Sequence, residues 1–304
     1  MSRYPLDPQF RLISRLKLPI VREFCAPVQA FMRAYRCAAD RRTEVRRLSI
    51  PGPDGNKIPT LVIEPKNTNE PLPCLYYIHG GGFILPAAPY HFTLAKEYAV
   101  QANCKVVFPD YRLAPRYPYP AAAEDCWAVY AWLLQNHASL GIDPDHIIIG
   151  GDSAGGDLTA VTTLMARDRG AKMPLFQMLI YPVTDRRMET ESSKRFRDTP
   201  VWSTSASEKM WAYYLPTLPA EHVEYASPLE ASSLEGLPPA YLEVAEYDSL
   251  RDEGLAYAQR LKDAGVDVEQ YETHGTPHGF ELMSSAPITK ETVAHRAAVL
   301  RRIF

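Results

Sequence analysis

One serine in this chain sits among four glycines. The stretch IIIGGDSAGGDLTA, residues 147–160, runs from a block of apolar residues through Gly150, Gly151, Asp152, Ser153, Ala154, Gly155 and Gly156 into a segment that reads as helix. Glycine inside a regular element costs stability relative to alanine. A cluster of them therefore marks a backbone shape that other residues adopt poorly. Gly151, Ser153 and Gly155 fit the pattern G-x-S-x-G. Between a buried-type strand and a helix, this pattern is a nucleophile elbow, a strained turn that lifts a serine oxygen above the carboxyl ends of the strands. The helix that follows points its unpaired N–H groups and partial positive charge at the same place. A phosphate-binding loop is the competing reading, but neither G-x-x-x-x-G-K-[ST] nor G-x-G-x-x-G occurs.

A second glycine run, His79-Gly80-Gly81-Gly82-Phe83, directly follows a strand-like segment. Its bare backbone N–H groups are suited to hold the negative oxygen that develops when a hydroxyl attacks a carbonyl. A serine also needs a base and a group that orients the base. On this reading both come from strand ends on the same rim. The segment PAYLEVAEYDSL supplies Glu246 or Asp248, and HGTPHGF supplies His274 or His278. The chain order serine, acid, histidine is the one expected of an elbow of this type. His79 is expected to fix its loop. His91, His137, His146, His222 and His295 have no supporting context and read as surface or core histidines.

These groups need a scaffold, and the pattern of elements supplies one. The first 40 residues read as two helical pieces punctuated by Pro5, Pro8, Pro19 and Pro27, with Phe10, Leu12, Ile13 and Leu16 on one face that should pack against the body. Two strand-like runs flank Pro53-Asp54-Gly55-Asn56, a hairpin signal. Strand-like runs at 74–78, 105–108, 147–150, 175–181, 240–245 and 268–271 then alternate with helix-like runs at 92–101, 121–136, 154–169, 251–264 and 290–303. Alternation with buried-type strands implies a mostly parallel sheet covered on both faces. Residues 184–227 break the pattern and are too long for a simple connection. They read as an insertion above the sheet, with a helix over 205–215.

At this point the chain resembles the hormone-sensitive-lipase-like branch of the α/β-hydrolases, the bacterial family IV esterases. The matching stretches are HGGGF at 79–83, DYRLAP at 110–115, GDSAGG at 151–156, DSLRDEG at 248–254 and HGF at 278–280. The resemblance implies an α/β-hydrolase fold, with a mostly parallel eight-stranded sheet, helices on both faces and a helical cap. It divides the chain into a cap (1–40 and 184–227) and a catalytic domain (41–183 and 228–304). It implies Ser153 as nucleophile, Asp248 as acid and His278 as base, with an oxyanion hole from the N–H groups of Gly81, Gly82 and Ala154. Phe83, Trp202, Trp211 and Tyr214 are candidates for the substrate pocket, the alternative for the cap aromatics being cap core. The implied activity is a serine carboxylesterase acting on short- to medium-chain acyl esters through an acyl-enzyme. An amidase or lactonase using the same triad, or a ligand receptor on the same fold, are the alternatives. Three positions depart from the family pattern. Asp157 stands where Asn is usual, Arg116 where Glu is usual, and Ser249 where Pro is common. An acidic residue at 157 suits the first turn of a helix.

Bulk properties agree with this. The 304 residues carry a net charge of −3, so no basic excess points to nucleic acid. No apolar run approaches the roughly 18 residues of a membrane span, and no secretory leader is read at the start. Five scattered cysteines without a C-x-x-C pair argue against a metal site or a disulfide framework, and suggest a reduced, cytoplasmic protein. The expected partner is a small-molecule ester, with no cofactor and no metal. The last strand is a candidate edge for pairing two copies as a homodimer.

Overall fold

The computed structural model describes residues 3–18, 20–68 and 71–304; Pro19 lies outside them. Its centre is one eight-stranded sheet. In chain order the strands are β1 (Thr43–Pro51), β2 (Lys57–Pro65), β3 (Leu72–Ile78), β4 (Lys105–Pro109), β5 (Ile142–Asp152), β6 (Phe176–Ile180), β7 (Ala240–Tyr247) and β8 (Val268–Pro277). Their spatial order is β1-β2-β4-β3-β5-β6-β7-β8. The leading hairpin makes the antiparallel pairings β1–β2 and β2–β4, and every other pairing is parallel.

The helices are α1 (Arg22–Arg33), α2 (Pro89–Ala102), α3 (Ala121–Asn136), α4 (Ala154–Asp168), α5 (Glu191–Arg195), α6 (Thr204–Tyr214), α7 (Arg251–Asp263) and α8 (Pro287–Ile303). Strand alternation assigns them to faces. In β3, Cys74, Tyr76 and Ile78 pack into the cluster shared with α3, α4 and α7, while Leu75 and Tyr77 join α2 and α8 on the other face. Strands β3, β4, β6 and β7 are buried almost throughout because both faces are covered, while the edge strands β1 and β8 are polar and partly exposed.

Two expectations change. Residues 8–16 do not form an amphipathic α-helix. Asp7 caps a 3-10 turn over Pro8–Phe10, and the i→i+3 bonds continue from Ile13 to Phe10 and from Leu16 to Ile13. Phe10 and Ile13, one 3-10 turn apart, are buried, while Leu12 and Leu16 are exposed. The last strand is also much longer than 268–271. It runs to Pro277 because β7 continues to pair with it past Tyr271.

Beneath α8 lies a fully buried ion cluster. Arg296 donates through Nε to Glu243 at 2.8 Å and through an Nη to Glu281 at 2.6 Å. Tyr181 donates its hydroxyl to Glu281 at 2.6 Å. Glu243 is on β7, Tyr181 follows β6 and Glu281 follows β8, so one guanidinium ties three strand segments to the C-terminal helix. Removing one partner of such a cluster leaves buried charges uncompensated. Arg296→Ala is expected to lower unfolding stability by about 3–5 kcal/mol in urea titration. A loss below about 1 kcal/mol, the range of an exposed pair, would contradict this account.

Candidate active site

The serine sits where β5 ends and α4 begins, and the backbone there is strained. Ser153 has φ 56° and ψ −119°, a region that a residue with a Cβ occupies at a cost of about 1–3 kcal/mol. The turn is held by its own amide, which donates to Ile180 at 2.9 Å, and by its carbonyl, which accepts from Asp157 and Val183 at 3.1 Å each. Close approach explains the glycine after it. A Cβ on Gly155 would lie 2.0 Å from the Ile78 carbonyl oxygen, so only glycine lets α4 lie this near β3.

Three strand ends meet at this edge. His278 follows β8, and its Nε2 accepts from the Ser153 hydroxyl at 2.9 Å. Its Nδ1–H donates to Asp248, just beyond β7, at 2.6 Å. The other Asp248 oxygen accepts the Leu250 amide at 3.0 Å. All three side chains are buried. Burial alone would lower the His278 pKa, but the Asp248 carboxylate outweighs it and the net direction is upward. Glu246 and His274 stand apart. Glu246 accepts the Gly275 amide at 2.8 Å, and His274 is solvent-exposed, with its Nδ1 3.7 Å from Glu246.

The glycine run after β3 lies against the end of β5, where a Cβ on Gly80 would come within 2.8 Å of the Asp152 carbonyl oxygen. Gly81 and Gly82 have φ of 117° and 61°. Ala154 opens α4, so its amide has no acceptor within the helix. The four candidate pocket residues divide. Trp202 lies against the site: a Cβ on Gly82 would come within 2.4 Å of its ring, and its centroid is 6.2 Å from that of His278. Its Nε1 donates to Ser207 on α6 at 2.9 Å. Phe83, Trp211 and Tyr214 pack on one another instead, with Phe83 and Tyr214 stacked at 3.8 Å.

Sequence reading passed over the groups that hold the glycine loop. Asp152 is buried beside the serine. Its Oδ1 accepts the Tyr77 hydroxyl at 2.8 Å and the Gly80 amide at 3.2 Å, and its Oδ2 faces His91 Nε2 at 3.1 Å. Because His91 Nδ1 accepts the Ala88 amide at 2.9 Å, the proton is on Nε2 and points at Asp152. Burial would raise the Asp152 pKa, but His91, Tyr77 and His79 more than offset it and hold it at about 2. His91 is thus a core histidine that links β5 to α2. The only signal was the Asp in GDSAGG, with nothing local to pair it to His91. His79 is stacked on Tyr111 at 4.5 Å and donates Nδ1–H to the Gly80 carbonyl at 2.7 Å; burial lowers its pKa to about 4, so it is neutral.

Asp157 is the departure that matters. It lies in the first turn of α4, yet it is fully buried, and neither carboxyl oxygen has a hydrogen-bond partner. The first-turn explanation is insufficient for such a group. Burial, then the nearby Glu253, push its pKa well above the ordinary carboxylate range. Glu253 is itself buried and raised, and it accepts the Thr184 and Asp185 amides at 2.7 and 3.2 Å. A carboxyl raised on folding keeps its proton in the native state and loses it in the unfolded chain above about pH 4. Its contribution to stability is therefore present below that pH and lost as pH rises. Asp157→Asn needs no proton, so its stability relative to wild type should improve from pH 4 to pH 8, by at most about 1.4 kcal/mol per pH unit. Parallel stability–pH curves in urea titrations would refute a protonated Asp157.

Comparison with known proteins agrees with this geometry. A family model described as alpha/beta hydrolase fold matches residues 75–282. Carboxylesterase NlhH of Mycobacterium tuberculosis is 38% identical over 256 residues, covering 83% of this chain and 80% of its own. Ethyl acetate hydrolase of Pseudomonas putida is 34% identical, covering 81% and 79%. Among solved structures, a bacterial heroin esterase superposes with a TM-score of 0.86 at 36% identity over 98% of both chains. Esterase LipW of Mycobacterium marinum gives 0.89 at 31%, over 99% and 96%. With the sheet, the elbow and these relatives in agreement, the chain belongs to the α/β-hydrolase fold family, among the hormone-sensitive-lipase-like carboxylic ester hydrolases.

Proposed function

We propose that this protein is a serine carboxylesterase that hydrolyses short- to medium-chain acyl esters through Ser153, His278 and Asp248. The observation that carries the proposal is the continuous hydrogen-bond chain from the Ser153 hydroxyl to His278 at 2.9 Å and on to Asp248 at 2.6 Å. His278 takes the serine proton as the oxygen attacks the ester carbonyl. Asp248 orients the imidazole and stabilises its charged form. The Gly81, Gly82 and Ala154 N–H groups receive the oxyanion. The tetrahedral intermediate expels the alcohol, which takes the proton from His278, and leaves an acyl-Ser153. Water, deprotonated by His278, then releases the carboxylic acid. No step calls for a metal or a cofactor.

In this reading the 1–40 segment and the 184–227 insertion form the cap. Support comes from the Val201 amide, which donates to the Leu16 carbonyl at 2.7 Å and joins the two segments. The size preference follows the family resemblance, with Trp202, whose ring packs against Gly82, as the candidate wall of the acyl pocket. Five free cysteines, all buried, are consistent with a cytoplasmic setting, and none of the helices described is long and apolar enough to cross a membrane.

Ser153→Ala should lower kcat on p-nitrophenyl butyrate by about 10⁴-fold or more while the fold persists. Turnover comparable to wild type would remove the triad assignment, and a panel of amides and lactones beside esters tests the alternative substrates. Because Asp248 raises the His278 pKa, kcat/KM should fall as pH drops through a value above the ordinary histidine value of about 6.5. A falling limb centred below 6.5 would contradict the Asp248–His278 coupling. An acyl series from acetate to laurate should peak at the short end.

A further inference from the structure

His278 is walled on one side by a strained tyrosine. Tyr181 follows β6 with φ 32°, a left-handed conformation that a bulky side chain adopts only under constraint. Backbone bonds supply the constraint. The Tyr181 amide donates to the Glu243 carbonyl at 2.7 Å, and Ile180 and Val183 on either side are bonded to Ser153. The Tyr181 ring lies 4.7 Å from the His278 ring, centroid to centroid, tilted at 59°. Its hydroxyl donates to Glu281 at 2.6 Å. Glu281 follows His278 within one turn, in the 3-10 segment Phe280–Met283, and its other oxygen accepts from Arg296 at 2.6 Å. The proposed base therefore rests on a ring that is tied at its backbone and at its hydroxyl.

The cluster behind this ring carries a surplus charge. Glu243, Glu281 and Arg296 are all fully buried, so two carboxylates share one guanidinium. Each of the four carboxylate oxygens accepts a hydrogen bond from Arg296, Tyr181 or Tyr241, an arrangement suited to two ionised groups. Inside the protein this charge is screened far less than it would be in water. The groups around His278 that carry or exchange charge are Ser153, Asp248, Asp152, Tyr181 and Glu281. Arg296 stands over the Tyr181 ring at 6.0 Å, and Tyr90 and Tyr98 of α2 face the same carboxylates. Burial raises the pKa of each of these tyrosines and of Tyr241, so they add no charge near pH 7. Burial lowers the His278 pKa, Asp248 more than reverses this, and Glu281 and then Asp152 add to the upward direction.

We propose that Tyr181 and Glu281 are positioning residues for His278: the anchored Tyr181 ring fixes the imidazole, and the surplus negative charge behind it stabilises the imidazolium formed during ester cleavage. The inference rests on the reading of His278 as the base. Its first readout, the titration of the His278 ring followed by NMR, needs no turnover, and a His278→Ala sample assigns the signal. Glu281→Gln keeps an oxygen for the Tyr181 hydroxyl and removes the charge. It is expected to lower the His278 midpoint by roughly 0.5–1 pH unit. The acid limb of kcat/KM on p-nitrophenyl butyrate should move down with it, because a less basic imidazole stays neutral to lower pH. Tyr181→Phe keeps the ring but releases it from Glu281. It is expected to lower kcat by roughly 3- to 10-fold with KM unchanged. This milder change keeps the proposal testable if Glu281→Gln does not fold. An unmoved His278 midpoint in folded Glu281→Gln overturns the charge role, whatever its stability. Wild-type kcat in Tyr181→Phe, or a change confined to KM, overturns the anchoring role. An unmoved midpoint in a protein whose turnover is abolished by Ser153→Ala would sink this inference and leave the triad standing.

Discussion

The parallel pairing of β5, β6, β7 and β8 is the constraint on which the site depends. Parallel strands bring all their carboxyl ends to one edge, so residues 153, 248 and 278 reach a common rim without any long loop to search for it. The rim is held because β5 from Ile147 onward, β6 and most of β7 are buried between helices on both faces. The buried cluster of Arg296, Glu243 and Glu281 adds a polar tie beneath the same edge. Burial of charge at this depth stabilises little in net terms. It does specify one arrangement of β7, the turn after β8, and α8.

A second layer of structure aims the glycine loop. Asp152 precedes the proposed nucleophile in sequence, and its carboxylate holds the Gly80 amide, so one β5 strand end controls both the serine and the loop opposite it. His91 and Tyr77 fix the carboxylate from below, and Gln29 holds the loop's far side. Preorganised donors are effective because they need no rearrangement as charge develops. Hydrogen-bond donors around buried Asp152 hold its pKa at about 2, while burial pushes that of Asp157, unpartnered one turn away, well above the ordinary carboxylate range. Two carboxyls five residues apart are thus pushed in opposite directions, according to whether donors surround them.

Helix α1 separates two tasks. Its inner side is tied next to the glycine loop through Gln29, and its outer side presents Phe24, Val28 and Phe31 to the surroundings. The aromatic insertion divides in the same manner. Trp202 covers Gly82, whereas Trp211 and Tyr214 pack with Phe83.

Local chemistry was legible in the sequence wherever neighbours in the chain are also neighbours in space. The elbow around Ser153, the glycine run at 80–82, the Asp54-Gly55 turn and the alternation of strands and helices all belong to this class, because backbone conformation and burial pattern act over a few residues. Spacing alone left Asp248 against Glu246 and His278 against His274 open; family resemblance chose between them, and in the structure Asp248 and His278 form a hydrogen-bonded chain with Ser153. The link from His91 to Asp152, the burial of Asp157 without a partner, the division of the aromatic residues and the outward stripe of α1 were decided only by tertiary structure. Each depends on which side chain from a distant segment fills the space beside it. The energy of a buried polar or charged group is set by those partners rather than by the residues adjacent to it in the chain.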